Sequence, residues 1–262
     1  MNLAVLDLET NGLMGTSVLS ASSLVFTEEG RILDFFHRYY LPMEPPDPGA
    51  LKVHGLTPER IRWLRYGNGH PAFFADDWES LALFWNDNEV DRVGVHNLSF
   101  DISFIPCEGI KDFNWWCSMV GLTEYCALKG KKGKSKWPRL AEARNIIFEK
   151  MAPPLEVLEN ENEIGIQICH NSLSDCIDLY GILARVMKNR PEIIDFRPVN
   201  NRFIFKTSGT FYPSTETCNP DLFVKNNLEL TLKMAELTGK YKLARKIRLF
   251  MASKFIFSPF EE

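Results

Sequence analysis

The sequence predicts an α/β protein: a mixed central sheet of about five strands flanked by helices, followed by a small, mainly helical C-terminal annex. Two observations carry this. Strand-like runs open the chain and give way to a strand–helix alternation, an order that builds a sheet with mixed strand directions. Two periodic helical segments then close the chain.

The elements follow in order. Residues 2–8 (NLAVLDL) form an apolar run broken by Asp7, as in a buried central strand. Residues 17–27 and 31–41 are rich in apolar and aromatic side chains, and the Glu28-Glu29-Gly30 turn between them predicts an antiparallel hairpin. Trp78, Leu81, Ala82 and Trp85 recur at helical spacing over 76–87, with Asp76 or Asp77 as N-cap. Val90 to Val95 is a short strand ending at His96-Asn97, and residues 113–117 are another. Helices are expected over 118–128, 138–149 and 172–189, the last ended by Pro191. The acidic segment 151–168, opened by Pro153-Pro154, is expected to be a surface excursion.

Residues 1–190 form one expected domain and 191–262 the annex. The annex offers a strand pair over 202–212 turning at Ser208-Gly209, then helices over 221–238 and 240–252 divided by Gly239. In the second, Leu243, Ile247, Phe250 and Met251 share a stripe, with Lys242, Arg245, Lys246 and Arg248 around the remainder. That basic face either docks nucleic acid or a protein partner, or is simply solvated.

Composition is that of an ordinary globular chain, with 262 residues, 45% hydrophobic and 24% charged. No apolar run approaches the roughly 18 residues that span a bilayer. A strand-like N-terminus argues against a secretory signal, so a cytoplasmic protein with no membrane partner is expected. Six cysteines include no C-x-x-C pair, so neither a zinc knuckle nor a redox dithiol is indicated. The net charge of −4 hides an asymmetry: residues 1–190 carry 19 basic and 26 acidic groups, residues 191–262 carry 11 and 8. A cluster of metal-binding carboxylates depresses net charge without repelling a polyanion once cations are bound.

Three short patterns carry chemistry. In Asp7-Leu8-Glu9-Thr10 the two acids are two apart on a strand and project to one face. Two carboxylates there repel each other and resist desolvation unless cations join them; the alternative is a capping Asp with an incidental Glu. His96-Asn97-Leu98-Ser99-Phe100-Asp101 follows a strand; Asn97 or Ser99 can cap the next helix and Asp101 falls in its first turn. His170 stands just before the long helix that contains Asp175 and Asp178. A helical wheel puts Asp175 on an apolar stripe with Leu179, Ile182 and Val186. Ser174, Asp178, Gly181, Arg185 and Lys188 fall on a wetter face, so Asp175 points at protein and Asp178 is expected to be solvated.

Taken together, Asp-x-Glu-Thr, Asn-x-x-x-Asp and His-x-x-x-x-Asp, in this order, resemble the DnaQ-like, DEDDh 3′→5′ exonuclease family of the ribonuclease H-like fold. Val53-His54-Gly55-Leu56-Thr57, His96-Asn97 through Phe100-Asp101, and Lys136-Trp137-Pro138-Arg139-Leu140 resemble further family segments. The resemblance covers residues 1–190. It departs at Cys117-Ser118, where many relatives have Asp-Thr, and in the length of the 151–168 segment.

The resemblance implies metal-dependent release of nucleoside 5′-monophosphates from the 3′ end of single-stranded DNA or RNA. Asp7, Glu9, Asp101 and Asp175 would hold two Mg²⁺ or Mn²⁺ ions, and His170 would act as general base. Thr10, Gly12, Leu13, His54, Asn97 and Phe100 would lie around the terminal nucleotide, with Leu13 either wedging a base or packing and Phe100 either core or platform. A catalytically silent binding or scaffold module of the same fold is the alternative; the presence of all five catalytic residue types argues against it. Residues 129–139 hold six basic and no acidic residues and either grip a nucleic-acid backbone or form a solvated run. Gly133-Lys134-Ser135 is no phosphate loop, because Leu128 stands where its first glycine is required. DNA and RNA are not distinguished by any residue named.

Overall fold

The computed structural model describes residues 2–13, 15–65, 69–166, 168, 170–199 and 220–255. Three antiparallel strands open the chain: β1 (Asn2–Thr10), β2 (Val18–Phe26) and β3 (Ile32–Tyr39). Gly30 closes the predicted hairpin with φ +97°, a conformation that costs a residue with a Cβ dearly. Helices α1 (Pro48–His54) and α2 (Pro58–Leu64) follow, capped by the Asp47 and Thr57 side chains and joined through left-handed Gly55. Then come α3 (Trp78–Asp87), β4 (Val90–Val95), α4 (Leu98–Asp101), β5 (Asn114–Cys117), α5 (Ser118–Gly121) and α6 (Thr123–Cys126). After α7 (Leu140–Lys150), α8 (Leu155–Ile164) and α9 (Ser172–Asn189), a two-residue strand β6 (Arg197–Pro198) precedes α10 (Pro220–Leu237) and α11 (Tyr241–Phe255).

The sheet order is β3-β2-β1-β4-β5-β6, with β4 and β5 parallel to β1 and the other neighbours antiparallel. This is the mixed sheet the sequence predicts, with β6 as a sixth strand. Alternation along β1 divides the core. Leu3 and Val5 face α9, with Ile147 of α7, Val157 of α8 and Met234 of α10 completing that layer. Ala4, Leu6 and Leu8 face Leu81 and Trp85 of α3. A third cluster joins Leu19, Tyr39, Ile61 and Leu64 to Phe223 and Leu228 of α10 and Ile247 of α11.

Three expectations are corrected. The 151–168 segment contains α8, whose Val157 and Ile164 are buried against α9 and its neighbours. The wetter face of α9 is covered by α7 and α8. Ser174, Asp178, Gly181 and Arg185 are buried, and of that set only Lys188 is exposed. Asp178 is therefore not solvated but paired with Arg144 of α7 (Nε–Oδ1 2.7 Å). Arg185 forks onto Glu161 of α8 (2.6 and 2.8 Å) and lies 3.7 Å from the Phe148 ring centre. Finally, Asp77 stands at the α3 N-cap position but makes no capping bond. Its carboxylate accepts instead from Arg38 (2.8 and 2.7 Å), Tyr40 (2.9 Å) and Ser80 (2.7 Å). The expected strand pair over 202–212 lies outside the described residues.

Candidate active site

Strand periodicity aims Asp7 and Glu9 from β1 toward α9, on the face of Leu3 and Val5. Opposite them on β2 stand Ser22 and Ser20. Ser172, the first residue of α9, bonds both hydroxyls (2.7 and 2.8 Å). Cys176, one turn on, donates its thiol to the Ser22 carbonyl (3.1 Å). These small side chains let the start of α9 lie close on β2, which brings Asp175 beside the β1 pair. Asn171 caps α9 through the Leu173 and Ser174 amides (3.1 and 3.0 Å), fixing where the helix begins.

Asp101 arrives from the other side. β4 runs parallel to β1, so α4 emerges at the strand end that carries Asp7 and Glu9. Asp101 is buried, and its Oδ1 accepts the Leu8 amide (3.2 Å) between the two β1 acids. Asn97, one of the two expected caps, holds the α4 N-cap position without capping it: its backbone is left-handed (φ 70°), its side chain makes no cap bond, and its Oδ1 is buried with no partner among the described residues. Ser118, at the position that departs from the family pattern, is buried and bonded to His96 Nδ1 (2.8 Å).

Ligand atoms of Asp7, Glu9 and Asp175 all lie within 4.8 Å of one another. Burial drives the carboxyl pKa of Asp7 well above its ordinary range, and the charges of Asp175, Asp101 and Glu9 push it further. Burial likewise raises Glu9 to about 8. Asp101 and Asp175 are raised well above normal, by burial first and by the Glu9 charge in addition. An all-oxygen, anionic cluster that is costly to ionise by itself fits a hard divalent cation.

The remaining predicted residues surround this cluster. His170 directly precedes the Asn171 cap, is exposed, and has a left-handed backbone (φ 50°). Its charge disfavours protonation of His54, which burial already holds down to about 4. His54 is buried; its Nδ1 accepts the Leu56 amide (2.9 Å), and the Thr10 backbone lies against the ring. Thr10 donates its hydroxyl to the Gly12 carbonyl (2.6 Å), which tightens the turn after β1. A Cβ at Gly12 would sit 3.0 Å from Thr16 Cγ2. Leu13, at the tip of this turn, is 47% exposed. Phe100 is half-buried, with its ring 5.1 Å from that of Phe104 in an edge-on contact.

Supporting residues that the sequence did not reveal are Ser20, Ser22, Ser172, Cys176 and Glu44. Glu44 holds the same turn by accepting from Asn11 Nδ2 (2.8 Å) and from the Ser17 amide and hydroxyl (both 2.7 Å). Their side chains are chemically ordinary and belong to no spaced motif.

No family model matches the chain. The DNA polymerase III subunit epsilon of Pasteurella multocida (strain Pm70) is 28% identical over 111 residues, 40% of each chain. Among solved structures, E. coli exonuclease I in complex with a dA16 oligonucleotide superposes with a TM-score of 0.52 at 15% identity, over 73% of this chain and 42% of that one. The same enzyme with a dT13 oligonucleotide gives 0.51 at 16% identity, over 73% and 42%. The chain thus spans well under half the length of these relatives.

Proposed function

We infer that this DnaQ-like, ribonuclease H-like chain is a metal-dependent 3′→5′ exonuclease that releases nucleoside 5′-monophosphates from single-stranded DNA or RNA. The observation that carries the reading is the convergence of Asp7, Glu9 and Asp175, from β1 and α9, with the buried Asp101 bonded to the Leu8 amide between the two β1 acids. Two Mg²⁺ or Mn²⁺ ions bound there would activate water for attack on phosphorus and offset the charge on the leaving 3′-oxygen. Asp7, Glu9 and Asp175 would hold the cation on the nucleophile side, and Asp101, with Asp7, would place the cation on the leaving-group side. His170 takes the proton of the attacking water at a ring nitrogen and passes it to solvent, to which it is exposed. The Thr10–Gly12 turn presents its backbone to the terminal sugar, with His54 bracing that turn from behind. Exposed Leu13 packs against the terminal base; Asn97 and Phe100 line the approach from α4.

The test is release of labelled mononucleotide from matched single-stranded DNA, single-stranded RNA and duplexes, with Mg²⁺ or Mn²⁺. Asp7→Asn should abolish release, and His170→Ala should lower the rate by roughly 10²–10⁴-fold, the usual worth of a general base. Turnover that persists in chelator would sink the reading. Binding of a 3′ end without cleavage in Mn²⁺ would establish a silent module instead.

A further inference from the structure

The basic segment 129–139 is not absorbed by the carboxylate site. It forms a small hairpin in which Lys129 bridges Ser135, the Gly130 amide bonds the Lys134 carbonyl (2.8 Å), and Gly133 turns at φ +71°. Its base is anchored: the Lys136 amide bonds the Leu128 carbonyl (3.0 Å), and Lys136 Nζ pairs with Glu142 (2.5 Å). Lys129, Lys131 and Lys134 are exposed, and none takes part in the ion pairs found among the described residues. Ordered backbone thus presents a cationic edge with no carboxylate of its own.

Trp137 ends this edge with 52% of its surface exposed. It forms a wall of a largely apolar cleft of about 490 Å³ shared with Leu98, Val120 and Pro198, whose far side carries Glu192, Asp195 and Arg197. Leu98 and Ser99 open α4, whose fourth residue is Asp101. The next residue after the tryptophan, Pro138, meets the half-buried His96 ring through its backbone, which ties the hairpin to the corner carrying Asp101. An indole face with free space beside it, next to a row of ammonium groups, is the chemistry that takes single-stranded nucleic acid: bases stack on the ring and phosphates meet the lysines. The carboxylates nearby stand at the far wall of the cleft, Glu192 and Asp195, and at the hairpin base, where Glu142 is taken by Lys136; the exposed hairpin edge itself carries only lysines beside the indole, which favours a polyanion with stacking bases.

We propose that the 129–139 hairpin, with Trp137, is a second contact surface that holds the single strand upstream of the end being cut. The proposal rests on the exonuclease reading for its role, but not for its measurement. Affinity for a fluorescein-labelled oligothymidylate is read by anisotropy across a salt series, in an Asp7→Asn background that blocks hydrolysis. The triple change Lys129→Gln, Lys131→Gln, Lys134→Gln should weaken binding and lower the salt slope by roughly 2, about 0.7 for each single-strand phosphate no longer neutralised. Trp137→Ala should weaken binding roughly tenfold with the slope retained, and Trp137→Phe should restore most of it. Affinity and slope left unchanged by the lysine triple would overturn the proposal; these lysines are exposed, so misfolding does not blur that result. Hairpin-dependent binding in a chain whose unsubstituted form releases no nucleotide would uphold the surface while sinking the exonuclease reading.

Discussion

Glu9 is the residue at which the chemistry of the site becomes measurable without any substrate. Its carboxyl sits near 4.5 in an unfolded chain and at about 8 in the folded one without metal. The folded state therefore holds a proton that the unfolded state has released. Its stability from this group is complete below about 4.5 and is lost as pH rises toward about 8. Asp7, Asp101 and Asp175 shift in the same direction. A divalent cation replaces those protons, so its stabilising effect should grow with pH and its binding should release protons. The rise in melting temperature on adding Mg²⁺ or Mn²⁺ should be larger at pH about 8 than at about 6, and Asp7→Asn should flatten the difference. A metal-induced shift that is independent of pH would mean that the cluster is not where the cation binds. Much of this site was legible in the sequence. Period two aims Asp7 and Glu9 together, and the α9 wheel puts Asp175 and Asp178 on different faces, although the face of Asp178 is covered by Arg144 and not by water. The hydroxyl bonds of Ser20, Ser22 and Ser172 were not legible, because serines 150 or more residues apart in sequence carry no pattern until β2 and α9 pack.

At the scale of elements, α8 is where sequence periodicity and structure part. Its Pro-Pro entry, five acidic or amide residues in a row from Glu159, and only two buried side chains leave little amphipathic signal. Tertiary contact gives this helix its role, because Glu161 reaches the Arg185 guanidinium, which is buried between it and the Phe148 ring. The same pairing explains why the α9 face with Asp178 and Arg185 is not wet; a helical wheel cannot tell a charge facing water from one facing its partner. Removing one member of a buried pair strands the other. Glu161→Ala should therefore destabilise the fold by about 3 kcal/mol in urea titration. Replacing both partners, Glu161→Met with Arg185→Met, should recover most of that stability, because no charge is then left buried. A single variant as stable as the parent would place Glu161 among weak surface pairs. Nucleotide release should change little while the protein stays folded, since Arg185 lies more than two helical turns beyond Asp175 on α9.

Across the whole molecule, the C-terminal helices are structurally continuous with the candidate site, although the sequence divides at about residue 190. Asn227 of α10 is buried, and its Oδ1 accepts from the Tyr39 hydroxyl (2.7 Å) and from Asn171 Nδ2. Asn171 also bonds Tyr39 (3.2 Å) while its own Oδ1 caps α9. One three-residue network thus joins β3, α10 and the start of the helix that carries Asp175, with His170 immediately before it. Around it, Phe223, Leu228 and Ile247 complete a core with Leu19, Ile61 and Leu64. Nothing in the spacing of 191–262 announces this, because Asn227 is one amide in a helix and its partners lie far away in the chain. Asn227→Ala leaves the buried Tyr39 hydroxyl without its acceptor and takes one of two acceptors from the Asn171 amide, which should cost about 1–3 kcal/mol. Tyr39→Phe should cost less, and the double variant should cost less than the sum, because the two share one hydrogen bond. If the network also fixes the α9 start, Asn227→Ala should weaken the metal-induced rise in melting temperature, whereas a substitution such as Lys225→Gln on the exposed side of α10 should not. Additive stabilities together with an unchanged metal response would show that α10 merely covers the domain; coupling in both measurements would make it part of the frame that sets Asp175.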